Sequence, residues 1–226
     1  MNSTSLVDAW REAMVDTAKP YLWSDEEALR YANDAYLMFV RLTGGIADFL
    51  SDACAADIVA GEAVSTLHPS ILRVMSATRR SDNQPIEIIN STDLGKMRSS
   101  DYGQIKQLVL DALQGPVRYM VHGMKRGEVR WVQVPLVDDV CDMHVYRLPL
   151  TQITDFEQEL DEIEEHHHIH LVDWMKHLAY KKQDADGFNA KASEQGRMDF
   201  EAYCSMVKSE WARYMHKNRI VSYGGL

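Results

Sequence analysis

The run Tyr21-Leu22-Trp23-Ser24-Asp25-Glu26-Glu27-Ala28-Leu29-Arg30-Tyr31-Ala32-Asn33-Asp34-Ala35 frames the reading of the whole chain. Ser24 is placed to cap a helix, because its hydroxyl can accept from a backbone N–H that has no intrahelical partner. Glu27, three residues on, completes a capping box by reaching back to the cap. Asp25, Glu26 and Glu27 put negative charge in the first turn, where the helix dipole favours it. Leu29, Ala32, Tyr36, Phe39 and Val40 then recur at helical spacing. This predicts an amphipathic helix running to about Leu42 and stopping at Gly44-Gly45.

Before this helix, residues 5–18 predict a shorter one, capped by Ser5 and stopped by Pro20, with Leu6, Ala9, Trp10, Ala13, Met14 and Thr17 recurring. After it, from about 54 to 149, the pattern changes to short strands. Asp57–Ala63 reads as strand plus turn, and Ile71–Arg80 pairs with Pro85–Ile89 across Ser81-Asp82-Asn83-Gln84. Short helical elements are expected at Ser91–Leu94 and over 101–114. Val117–His122 and Glu128–Pro135 form a hairpin around Gly123 and Gly127, and Asp142–Leu148 is a last strand. The C-terminal third returns to helix. Residues 157–182 place Ile163, His167, His170, Leu171, Trp174 and Leu178 on one stripe. Residues 191–217 place Phe200, Cys204, Val207, Trp211 and Tyr214 on another, and Asp184-Ala185-Asp186-Gly187 turns between the two.

The expected fold is α+β and mainly α: a bundle of about four helices (1–53 and 150–217), an antiparallel β-rich insertion (54–149) and an extended C-terminal tail (218–226). The 226 residues, 46% of them hydrophobic, suffice for a domain with a real core. The formal net charge of -10 argues against wrapping nucleic acid, which needs clustered Lys and Arg. Cys54, Cys141 and Cys204 are too few and too scattered for a disulfide framework, so each reads as a small buried hydrophobe in a reducing compartment. Met1–Trp10 predicts no secretory signal, and no apolar run suggests a membrane helix.

His166-His167-His168-Ile169-His170 is the segment that invites an enzymatic reading. On a helix, His166 and His170 stand one turn apart, a spacing that can chelate a metal, with Glu162 one turn before and His177 two turns after. Against a metal-dependent hydrolase stands the lack of a Glu inside the His pair. His167 and His170 also lie on the apolar stripe, where histidine packs across a helix interface. No nucleotide loop, nucleophile elbow or local Cys-His pair is present. The expectation is no catalytic residue, no cofactor and no metal.

The Tyr21–Ala35 run resembles the opening helix of tailed-bacteriophage head-to-tail adaptor proteins. Leu67-His68-Pro69-Ser70-Ile71-Leu72-Arg73-Val74 resembles the first insertion strands of the same proteins. His168–Trp174 through Ala179-Tyr180, then Asp184 and Phe200-Glu201, are similar to their C-terminal helix pair. The resemblance covers most of the chain in the right order. It implies a helical bundle with a β-rich insertion. It also implies a ring of about a dozen copies below the portal protein, which extends the DNA channel and offers a platform to the tail tube or nozzle protein. Double-stranded DNA would pass without specific binding, no membrane would be involved, and no catalytic residues follow from the family.

In such a ring, Trp23, Tyr36, Trp174 and Trp211 are candidates for subunit or bundle packing. Arg219, Ile220, Val221, Tyr223 and Leu226 form a tail suited to docking on the portal or a neighbour. Asp161, Glu162, Glu164 and Glu165, in an acidic run at a helix start, are candidates to line the channel. The competing functions are the hydrolase built on Glu162, His166, His170 and His177, and a monomeric acidic interaction module such as an inhibitor.

Overall fold

The computed structural model describes residues 1–92, 114–183 and 187–215. The capping box forms as the sequence requires. Ser24 Oγ accepts from the Glu27 amide at 3.2 Å, and Glu27 carboxylate accepts from the Ser24 amide at 3.2 Å. Helix α2 then spans Asp25–Thr43 and ends at Gly44, whose φ of 112° only glycine adopts without strain.

Helix α1 spans Ser3–Met14, so both of its expected ends move. Asn2, not Ser5, is the cap, accepting from the Ser5 amide at 2.9 Å. The helix stops at Val15, in the left-handed region at φ 58°, well before Pro20. A cap is decided by which side chain meets the orphan amides, and Asn is as good a cap as Ser.

The chain divides into two units, Met1–Gly44 with Pro149–Leu226, and Gly45–Leu148. In the first, α1 and α2 pack with α4 (Leu171–Lys181) and α5 (Ala190–Tyr214), while α3 is a single turn, Glu165–His168. Trp10 meets Trp23 and Tyr31 edge-on, at 5.6 and 6.1 Å between centroids. Trp174 of α4 donates its indole N–H to Asp34 of α2 at 2.8 Å and leans on Phe200 of α5. The buried stripe of α5 is Ser193, Gly196, Phe200, Cys204 and Val207, at helical spacing.

The helix expected over 157–182 is interrupted. Residues before Glu165 are not helical, and Glu157 holds a φ of 68°. The chain there is fastened to the start of α1: Ser3 donates its amide to the Gln158 carbonyl at 2.8 Å, and Thr4 Oγ1 accepts from the Glu157 amide at 2.8 Å. Backbone groups engaged this way are not free for a helical ladder.

The second unit is an eight-stranded sheet. Its strands are β1 (Ile46–Asp48), β2 (Ala55–Ile58), β3 (Val64–Thr66), β4 (Ile71–Arg79), β5 (Pro85–Asn90), β6 (Tyr119–His122), β7 (Glu128–Trp131) and β8 (Asp139–Arg147). The order is β1-β8-β4-β5-β6-β7-β3, with β2 also on β8. The two expected hairpins, β4–β5 and β6–β7, are present and antiparallel. Strands β5 and β6, however, run parallel, Glu87 opposite Tyr119 through Asn90 opposite His122.

The expected mainly helical bundle carrying an antiparallel insertion is therefore corrected: besides its helices the chain contains a curled, mixed eight-stranded sheet. The parallel pair is possible because residues 91–118 supply a long connection, and parallel strands need one. The helical elements expected at Ser91–Leu94 and 101–114 extend into residues outside those described, as does the turn at 184–186; the tail 218–226 lies wholly outside them.

The sheet has its own core, with Met120, Val129, Trp131, Cys141 and Val145 essentially excluded from solvent. Trp131 donates its indole N–H to Ser65 Oγ at 2.9 Å, so the largest core side chain leaves no polar atom unpaired. Asp48 turns the chain between β1 and β2, which share one edge of β8. Its carboxylate accepts from the Leu50 and Ser51 amides, the Ser51 hydroxyl and the Arg147 guanidinium.

Candidate functional site

The histidine segment sits in the helical unit, where α3 turns into α4. His167 is buried; its Nδ1 lies 2.9 Å from Tyr203 Oη, and its ring packs on Phe39 at 4.9 Å between centroids. His168 is also buried, with Nε2 3.1 Å from the Ile163 carbonyl. His170 stacks flat on Tyr203 at 3.5 Å. Burial lowers the pKa of His167, His168 and His170, favouring neutral rings.

The four residues of the hydrolase reading do not converge. Glu162 accepts from the amides of Leu150 and Thr151, both at 3.0 Å, and so closes a loop. His177 Nδ1 lies 3.0 Å from both the carbonyl and the hydroxyl of Ser193, joining α4 to α5. His170 is taken by its stack on Tyr203. Among the described residues, the group whose ligand atoms come within 4.8 Å of one another is Glu164, His166 and His167. Its signal in the sequence is a Glu-x-His-His run straddling a helix start, which the one-turn spacing rule passes over.

The packing candidates separate. Trp23, Tyr36 and Trp174 are buried within the helical unit, whereas Trp211 is 45% exposed. Asp161, Glu164 and Glu165 are exposed and Glu162 is half-buried. The tail residues Arg219, Ile220, Val221, Tyr223 and Leu226 lie outside the described residues.

The apolar stripe expected along 191–217 is buried only in part, and further apolar side chains are exposed elsewhere. Beyond Val207, every remaining described residue of α5 is exposed, including Trp211 and Tyr214, and Met198 and Met206 are exposed earlier on the helix. On the sheet unit, Phe49 and Leu50 protrude from the Asp48 turn, and Leu136 and Val137 from the β7–β8 loop. That loop is held firmly: Pro135 accepts from the Gly61 amide at 2.9 Å and Asp138 from the Ala60 amide at 2.7 Å. A shallow groove of about 330 Å³ lies among Met14, Asp16, Trp23, Tyr180, Phe188 and Asn189. No described helix is long and apolar enough to cross a membrane.

A whole-length comparison with family models puts the chain among phage head-to-tail adaptors. It belongs to the SU10 adaptor protein family, whose model matches residues 1–220. No curated protein matches the chain.

Proposed function

We propose that this protein is a structural component of the phage neck, forming a ring of about a dozen copies beneath the portal protein. The ring extends the channel for double-stranded DNA without binding it specifically, and it gives the tail tube or nozzle protein a platform. The observation that carries this reading is the family match over residues 1–220. It acts by geometry, with no catalytic residue, and it is assembled in the host cytoplasm.

The physical features fit such a role. A ring subunit needs lateral and axial surfaces, and neighbouring exposed apolar side chains on a folded surface mark contact sites. Trp211 and Tyr214 on α5, and the pairs Phe49-Leu50 and Leu136-Val137 on the sheet unit, supply them. The net charge of -10 suits a channel wall that repels DNA, with Asp161, Glu162, Glu164 and Glu165 as its acidic lining. The tail 218–226, with Arg219, Ile220, Val221, Tyr223 and Leu226, docks on the portal or on a neighbouring copy.

Native mass spectrometry of the protein alone, and after mixing with its cognate portal ring, tests the reading. A discrete addition of about twelve copies to the portal is the expected result. A protein that stays monomeric and leaves the portal's mass unchanged overturns it.

A further inference from the structure

Glu164, His166 and His167 form a cluster whose two histidines have no part in the adaptor role. Glu164 sits in extended conformation just before α3. Its Oε2 lies 3.4 Å from His166 Nε2 and 4.0 Å from His167 Nε2. Two imidazole nitrogens and a carboxylate oxygen thus face one another across a space open to water, since the side chains of Glu164 and His166 are 67% and 64% exposed.

His167 is the fixed member. Its Nδ1 is 2.9 Å from Tyr203 Oη, and Tyr203 is itself held by the flat stack of His170 at 3.5 Å. With Nδ1–H donating to the tyrosine hydroxyl, Nε2 keeps its lone pair and points it toward the cluster. A ligating histidine oriented by a hydrogen bond from its other nitrogen is the usual outer-shell support of a metal site. Burial, which favours the neutral ring of His167, works in the same direction.

We propose that Glu164, His166 and His167 bind one divalent transition-metal ion, of which zinc is the best fit. The ligands are the two Nε2 atoms and one carboxylate oxygen, with water filling the remaining position. Nitrogen donors select zinc, nickel or copper over magnesium or calcium, which take oxygen ligands. Metal–ligand bonds of about 2.0–2.2 Å require the three atoms to draw closer than they stand. Rotation of the exposed Glu164 and His166 side chains accomplishes this while His167 stays in place. The bound ion would clasp the start of α3 to a histidine that rests on Phe39 of α2 and Tyr203 of α5.

This site differs from the hydrolase set, three of whose members are engaged elsewhere, and it does not depend on the adaptor reading. The test is calorimetric titration of zinc chloride into the untagged full-length protein at about pH 7.5, with metal content measured after dialysis. One zinc per chain is expected. His166→Gln and Glu164→Gln change exposed side chains, so they should keep the circular dichroism of the parent and weaken binding by about tenfold or more. Tyr203→Phe should weaken it by about 10- to 100-fold through the lost support. Absence of binding overturns the proposal. So does a zinc affinity unchanged in a folded His166→Gln variant, because the ion would then sit elsewhere.

Discussion

Gly196 of α5 crosses Asp173 of α4 so closely that a Cβ built on the glycine would lie 2.7 Å from the Asp173 carbonyl oxygen. The neighbouring His177 amide nitrogen would be 3.3 Å away. Both obstacles are backbone, so neither can swing aside. In an exposed helix, Gly→Ala stabilises by about 1 kcal/mol. Here the helices must part, and overpacking of this kind costs about 1–3 kcal/mol. Gly196→Ala is expected to be net destabilising, read as a lower urea midpoint with a helical spectrum retained. A midpoint at or above that of the parent would show that α4 and α5 are not in this contact.

The Asp48–Arg147 pair gives a second prediction. Both side chains are about nine-tenths buried. Burial pushes the Asp48 carboxyl up, but the Ser51 hydroxyl, the Arg147 guanidinium and the Leu50 and Ser51 amides outweigh it and hold its pKa far below the ordinary value. Asp48→Asn leaves Arg147 without its partner carboxylate and should cost about 3–5 kcal/mol. The depressed pKa means that Asp48 contributes its stability above the unfolded pKa of about 4, and loses it as pH falls further. Acid unfolding of the parent below about pH 4, with a shallower acid dependence in Asp48→Asn, is the expected pair of curves.

The buried histidines act at milder pH. The folded pKa of His168 is lowered by burial, against the opposing pull of the Ile163 carbonyl, and that of His167 is lowered by burial and by His166. The unfolded chain, with histidine pKa of about 6.5, therefore binds more protons than the native state just below that value. Stability should be fully present above about pH 6.5 and fall as pH is lowered through the native pKa values. Urea midpoints measured from about pH 7.5 down to 5 should decline, and a flat profile would contradict the buried placement.

The cysteines make a third kind of test. All three are buried, and burial pushes the thiols of Cys141 and Cys204 up to about 12. Only thiolate attacks an alkylating reagent. Native protein at about pH 8 should therefore react negligibly with iodoacetamide, whereas urea-unfolded protein takes up three labels, counted by mass. Rapid native labelling of Cys141 would mean that the sheet core opens.

Local signals in this chain were legible because they need only near neighbours. Ser24 and Glu27 cap α2 within one turn, Gly123 and Gly127 bracket a hairpin, and Phe200, Cys204 and Val207 of the stripe expected on α5 are buried, although its Trp211 and Tyr214 are exposed. The family resemblance was legible for the same reason, since it rests on the order of such segments, and the match over residues 1–220 agrees with it. The histidine run was misread in detail. Helical spacing linked His166 to His170 and Glu162, but the helix begins only at Glu165, so the ladder behind that spacing does not exist.

What the sequence determined by itself, then, is the capped helix α2, the two hairpins β4–β5 and β6–β7, part of the buried stripe of α5, and the family. These follow from residue spacing and backbone chemistry over a few positions. Only the tertiary structure decided that β1 and β2 share the edge of β8, that β5 and β6 run parallel, and that Glu164 meets His166 and His167. Alternating apolar residues tell a strand which face to bury but not which partner to choose. That choice depends on the packing of residues far apart in the chain, such as Asp48 with Arg147 and Trp131 with Ser65.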